Sequence, residues 1–409
     1  MTIETLRHKY IDLMLSAVDL RPGQNLAIRT EPVHWPLCNQ IAEAAYRRGA
    51  RYVHVLADHP ALHKVRVDTA GEETLGYVPT FLPEMYRCFV EEEWAVIALV
   101  GPEDPDIHEA LDPVRNAQVG KAHAESLREF RDAMQTNRFA WVVAAAPTPK
   151  WASKVIGGPS DSSAVDRLWH LMTPILRLDE DEPDKAWFEH AELLKARARR
   201  LTDLAISRLH FQSDGTDLSV GLLPRSVWIG GGSEKPDGRS FVPNIPTEEV
   251  FTTPHRLAVE GRARVTRPVL VLGRMVNGAW FEFSEGRVVD FGAERGVEAL
   301  EQYFAIDENA RRLGEIALVD STSPVFESNT VFYNILYDEN AACHMALGSS
   351  YPSCVDGAES LTSEEYMELG GNRANLHTDF MIGGGDICVT AYTGAGERIE
   401  LMRDGRFVD

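Results

Sequence analysis

The chain changes texture near residue 190, and that change limits the possible folds more than any single motif does. Before it, strand-like apolar runs alternate with helical stretches. "RPGQNLAIRT" supplies a turn and a short strand, "PLCNQIAEAAYRRGA" a helix with Pro36 near its start and Gly49 near its end, and "RYVHVLA" a second strand. "WAVIALVGPEDPD" and "FAWVVAAAPT" continue the series, with a charged segment of helical periodicity from Val114 to Asn137 between them. Strands separated by helices pair in parallel, so an open α/β sheet is expected through about residue 150. A helix-rich stretch from Ser163 to Asp203 follows, and the acidic "RLDEDEPDKAW" within it reads as an exposed connection.

From "ISRLHFQSDGTDLSVGL" onward the runs are short, alternate between apolar and polar, and are punctuated by turns. Asn277-Gly278 reads as a strong hairpin turn and Glu285-Gly286 as a second. The 409 residues exceed what one ordinary core organises, given ~100–200 residues per domain. The expected architecture is α/β: an N-terminal open α/β sheet domain over residues 1–190, and a C-terminal mixed, antiparallel β-rich catalytic domain over 191–409.

Charge narrows the partners. A formal net charge of −21 repels nucleic-acid backbones and anionic membranes, so neither is an expected partner. Five cysteines without a C-x-x-C pair argue for reduced thiols and a cytoplasmic protein. The opening "MTIETLRHKYIDLMLSAVDL" has acidic residues among its apolar ones and reads as an amphipathic helix, with neither signal-peptide nor membrane-span character. No phosphate-binding glycine loop, nucleophile elbow or H-E-x-x-H helix is present.

Four segments of the second half concentrate polar chemistry. In "VPNIPTEEVFTTP", Glu248 and Glu249 are adjacent, so an extended backbone lets only one face a given site; both could equally be exposed loop acids. In "ARRLGEIALVD", Glu315 leads an apolar strand and needs a partner, either a site cation or the neighbouring Arg311 and Arg312. In "FYNILYDENAACHMALGSSYPSC", Asn340 to Leu347 reads as a short helix capped by Asp338 and ended by Gly348. That helix would carry His344 as a core residue or a ligand, with Tyr351 in the loop after it. In "LHTDFMIGGGD", a strand would place His377 and Asp379 on one face. Two imidazoles with several carboxylates are what borderline divalent metals take where thiolates are missing.

"NIPTEEVFTTP", "LGEIALV", "YDENAACHMALG", "YPSC" and "LHTDFMIGGGD" stand in the same order as the motifs of the metallo-aminopeptidases of the aminopeptidase T and aminopeptidase S type, and the chain resembles that family over residues 244 to 386. The resemblance implies a hydrolase that removes N-terminal residues from peptides with a free N-terminus, works as a homodimer and uses two divalent ions, zinc, cobalt or magnesium. It implies Glu249, Glu315, His344, His377 and Asp379 as ligands, Glu339 as a further ligand, and Tyr351 as an active-site residue. With Glu249 engaged by metal, Glu248 is left to carry a proton to the leaving amine. An alternative uses His344, His377 and Asp379 alone, as a mononuclear non-haem Fe(II) ring-cleaving dioxygenase of the dihydroxypyridine type, which resembles the same scaffold.

Overall fold

The computed structural model describes residues 1–109, 111–358 and 360–408. The chain divides into two compact units, Met1–Glu189 with Gly232–Pro246, and His190–Gly231 with Thr247–Asp409. The excursion Gly232–Pro246 returns to the first unit although it lies well past residue 190.

In the first unit, strands β1 (Asn25–Thr30), β2 (Tyr52–Ala57), β3 (Ala95–Val100) and β4 (Trp141–Ala145) are all parallel, in the order β4-β3-β1-β2. Residues Asn244–Ile245 extend this sheet beyond β4. Helix α1 (Ile3–Ala17) precedes β1, and the helices between the strands include α2 (Trp35–Arg47) and α3 (Phe81–Glu91). The strands are apolar runs because crossover helices cover their faces; Leu26, Ala27, Ile28, Ala95 and Ile97 are fully buried. Aromatic edges close one side of this core, with Tyr86 against Phe130 at 4.7 Å and Phe89 against Trp94 at 4.7 Å.

The second unit carries two large antiparallel sheets and a two-stranded ribbon. The larger runs from β5 (Ile206–Ser213) and β6 (Thr216–Leu222) through β8 (Pro254–Arg264), β9 (Trp280–Ser284) and β10 (Arg287–Gly292) on one side, and through β14 (Cys388–Thr393) and β15 (Arg398–Arg403) on the other. The smaller is ordered β13 (His377–Met381), β12 (His344–Gly348), β11 (Leu313–Val319), β7 (Glu249–Thr252), with Ile229–Gly230 at its edge. A shared core lies between them, where Val250, Ile316, Leu318, Met345, Leu347 and Phe380 from the smaller sheet meet Phe211, Val220, Phe281 and Val389. The rings of Phe281 and Phe380 meet edge to face at 4.9 Å.

Three local expectations are corrected here. Asn340 to Leu347 is not a helix: a 3-10 turn over Glu339–Ala341 leads into strand β12, because His344, Ala346 and Gly348 alternate with the core residues Met345 and Leu347. Asp338 caps no helix there; its carboxylate accepts hydrogen bonds from the backbone N–H groups of Phe332 (2.7 Å) and Asn334 (3.0 Å). Asn277-Gly278 does not close a hairpin either, since Asn277 bridges to Arg295. The hairpin lies one turn earlier, where Leu272 and Gly273 (φ +51° and +80°) join Val269–Val271 to Arg274–Val276. Glu285-Gly286 does join β9 to β10.

Candidate metal centre

The smaller sheet has one apolar and one polar face. Directly opposed residues of an antiparallel pair point the same way, so the register fixes which side chains meet. Glu315 stands opposite Ala346, which stands opposite Asp379; His344 stands opposite Ala317, and Gly348 opposite His377. Glu249 stands opposite Val319, two residues along from Ala317. Glu249, Glu315, His344, His377 and Asp379 therefore share one face, with small residues between them leaving room for ions. The intervening residues Val250, Ile316, Met345 and Phe380 point into the core.

Glu315 reaches that face through a bulge. Leu313 belongs to the core, and in a regular strand residue 315 would follow it there. Two residues of β11 oppose one of β12 between Leu313 and Glu315, which turns Glu315 to the other side. The extra residue is Gly314, where a Cβ would lie 2.2 Å from the Ser349 carbonyl oxygen, so only glycine admits this approach.

The side chains form two overlapping sets, Glu249 with Glu315 and His344, and Glu315 with His377 and Asp379. Within each set the candidate ligand atoms lie within 4.8 Å of one another. His344 Nε2 is 3.0 Å from Glu249 Oε2 and 3.9 Å from Glu315 Oε1; His377 Nε2 is 3.2 Å from Glu315 Oε2 and 3.4 Å from Asp379 Oδ1. Donors ~2.1 Å from one ion are about 3.0–3.4 Å apart at octahedral to tetrahedral angles, so most of these spacings suit shared coordination. Both imidazoles are oriented alike. His344 Nδ1 donates to the Ala342 carbonyl at 3.1 Å and His377 Nδ1 to the Ser349 carbonyl at 2.7 Å, which leaves each Nε2 facing the carboxylates.

Two further observations fit this face to cations. The buried Glu249 Oε2 and Asp379 Oδ1 have no hydrogen-bond partner among the described residues beyond what the imidazole Nε2 atoms of His344 and His377 can offer at 3.0 and 3.4 Å, an arrangement that is costly unless a cation completes it. The field points the same way. Burial, then Glu249 and Asp379, raise the carboxyl of Glu315 above its ordinary value. Burial and the same neighbours raise Glu339 well above its own. Burial would lower His344, but the hydrogen bond and charge of Glu249 outweigh it and push His344 up to about 10. His377 also rises well above its usual value despite its burial, through Asp379 and Glu315. Asp379 is held below the usual carboxylate range, burial being outweighed by His377. With all four ionised, Glu249, Glu315, Glu339 and Asp379 would carry a formal −4, a charge that divalent cations would offset.

The remaining expected residues lie around this face in different ways. Glu339, in the 3-10 turn before β12, joins neither set but stands in the field of Glu249, Asp379 and Glu315. The Tyr351 hydroxyl lies 3.3 Å from His377 Nε2. Its backbone exchanges hydrogen bonds with Thr253, at 3.0 and 3.3 Å, and its ring packs edge-on to Phe251 at 5.6 Å. Burial, then Glu315 and Asp379, raise the phenol well above its ordinary value, so Tyr351 stays a hydrogen-bond donor at neutral pH. Glu248 is turned from Glu249: its N–H donates to Asn340 Oδ1 at 2.6 Å, and its carboxylate lies 3.3 Å from His190 Nε2. Arg311 and Arg312 do not pair with Glu315; they donate to the carbonyls of Val288 and Arg256.

Sequence reasoning missed His190, Asn340 and Ala346. His190 sits in the helix Pro183–Asp203, far in sequence from Glu248, and no local signal marks it. Asn340 is fully buried between the Glu248 amide and the Leu336 carbonyl; an amide amid the apolar run after Asp338 was a legible hint. Ala346 acquires meaning only from its register between Glu315 and Asp379.

Known proteins resemble this chain along nearly its whole length. The chain matches the thermophilic metalloprotease (M29) family over residues 4–407. It is 38% identical over 400 residues to aminopeptidase 2 of Geobacillus stearothermophilus, covering 98% of this chain and 97% of that one. It is 37% identical to aminopeptidase T of Thermus aquaticus, covering 96% and 95%. The solved structure of wild-type AmpT from Thermus thermophilus superposes with a TM-score of 0.91 at 35% identity, over 99% of both chains. None of this supports the ring-cleaving dioxygenase alternative. With family and fold both matched along nearly its whole length, the chain belongs to the M29 metalloproteases.

Proposed function

We propose that the protein is an aminopeptidase that uses two divalent metal ions, zinc, cobalt or magnesium, to release the first residue of peptides with a free N-terminus. The observation that carries this reading is the pair of donor sets that share Glu315. A single iron would use His344, His377 and one carboxylate, and would leave Glu249 buried to no purpose. Glu339 completes the ligand set. When bound, such ions polarise the scissile carbonyl and lower the pKa of water from 15.7 toward ~7.

The chain's own residues perform the rest. The Ala342 and Ser349 carbonyls hold the two imidazoles in one tautomer, so Nε2 of each is the coordinating atom. Tyr351 donates a hydrogen bond to the oxygen of the scissile carbonyl as it gains charge, a contact worth about 3 kcal/mol where it is preorganised. Glu248, steadied by His190 and Asn340, carries a proton to the leaving amine. The protein works as a cytoplasmic homodimer, a location that fits its five free thiols. Among the described residues no helix is long and apolar enough to cross a membrane.

Metal analysis of protein purified and reloaded with cobalt or zinc tests this reading, alongside hydrolysis of Leu- and Ala-p-nitroanilide and iron-dependent oxygen uptake. Two ions per chain with amide hydrolysis is the expected result. One iron per chain with oxygen uptake would sink it.

A further inference from the structure

The structure assigns, we infer, a receptor for the side chain of the substrate's first residue, selective for large apolar groups; this rests on the aminopeptidase reading above. A cavity of about 240 Å³ lies within the second unit, lined by His377 and Asp379 of the candidate metal centre and by Leu270, Met275, Tyr333 and Ile335. A peptide whose N-terminal residue is held at the metal face must place its first side chain in the adjoining space, and this cavity adjoins that face through His377 and Asp379.

Its walls are apolar for reasons the backbone explains. On the ribbon formed by Val269–Val271 and Arg274–Val276, Val269, Val271 and Val276 point into the core. Leu270 and Met275 are direct cross-strand partners on the opposite face, and both line the cavity, with Val269 contributing at the start of the ribbon. The other wall is the loop at Tyr333, which has φ +53°, a conformation that only a few per cent of non-glycine residues adopt. The Asp338 carboxylate accepts from the amides on both sides of it, at Phe332 and Asn334, and pins the loop in that shape. The wall is therefore set before a substrate arrives. Ile335, 47% exposed, gives an apolar surface that a bound side chain would cover.

Size and charge select the ligand. A cavity of ~150 Å³ accommodates benzene, so this one takes a phenylalanyl, leucyl or methionyl side chain, and an alanyl methyl leaves it largely unfilled. A lysyl or arginyl side chain finds no uncommitted anion here. Asp379 belongs to the metal set, and both Asp338 oxygens already accept backbone amides. Discrimination by such an apolar pocket is about 10- to 200-fold for each step in size.

The test uses the full-length, metal-loaded enzyme and the p-nitroanilides of Leu, Met, Phe, Ala and Lys, with kcat/KM measured for each. Leu, Met and Phe are expected to exceed Ala and Lys by about tenfold or more. Leu270→Trp, which fills the cavity, should lower the Leu-to-Ala ratio at least tenfold, and Leu270→Ala, which widens it, should raise the Phe-to-Leu ratio. Metal content is measured on every variant. Turnover with ratios that neither variant moves would overturn the receptor and leave the aminopeptidase reading standing. No turnover on any of the five by fully loaded enzyme would overturn that reading, and the receptor with it.

Discussion

Strands β1 and β11 are both buried, and they do opposite things. β1, in the parallel sheet of the first unit, spends its burial on packing: Leu26, Ala27 and Ile28 are fully covered. β11, in the smaller antiparallel sheet of the second unit, is buried along its whole length yet carries Glu315 in its middle. A parallel sheet covered by crossover helices has no face to spare for charge. An antiparallel sheet packed on a core through one side can give its other side to polar groups, and here it collects carboxylates and imidazoles at a spacing that invites metal. The difference between the units is thus one between burial that stabilises the fold and burial that is unfavourable until a ligand arrives.

The comparison breaks most sharply at Glu315 and its neighbour. Glu315→Gln should abolish metal-dependent turnover and loading of the second ion, since both donor sets use this carboxylate. In the metal-free protein the variant should shift stability by no more than about 1 kcal/mol, because the repulsion from Glu249 and Asp379 that it relieves is offset by the contact with protonated His377 that it gives up. Ile316→Ala, one residue on and facing the core, should cost about 2–5 kcal/mol. Chemical denaturation of the metal-free proteins reads the difference. Equal destabilisation by the two changes would show that the two faces do not differ as argued.

Tyr351→Phe probes the polar face without replacing any proposed ligand. The expected fall in kcat is about 10- to 1,000-fold with metal content intact; unchanged turnover would remove the tyrosine from the chemistry. A last prediction concerns pH. In the metal-free protein Glu249 holds His344 up to about 10, and His377 is raised as well, so both imidazoles are protonated at neutral pH. Cations must displace those protons, and metal affinity should rise with pH by about tenfold per unit for each proton released. Chelator competition at pH 6, 7 and 8 measures this, and an affinity independent of pH would contradict the charge state drawn for the site.

Much of the fold was legible. β1 to β4 and the helices between them follow the alternation of apolar runs and helical periods, and His377 and Asp379 share a strand face as the His-x-Asp spacing requires. The misreadings have physical causes. "ENAACHMALG" looked helical because alanine favours helices, but its period of two, with Met345 and Leu347 in the core, decided for a strand. Asn277-Gly278 has hairpin chemistry, yet the pairing that forms uses Leu272-Gly273, because Val269, Val271 and Val276 bury together there.

The sequence by itself determined the two textures, the acidic character, and the residue types from which a metal site could be made, since periodicity and composition are local and can be read along the chain. Only the tertiary structure decided which residues meet. Glu315 faces Asp379 across Ala346 through a register spanning more than sixty residues of sequence, and reaches that face only through the bulge at Gly314. Leu270, Met275 and Tyr333 become neighbours of His377 only once hairpin, loop and strand pack together. Register, bulge and packing are set by long-range pairing free energies, which no short window of sequence contains.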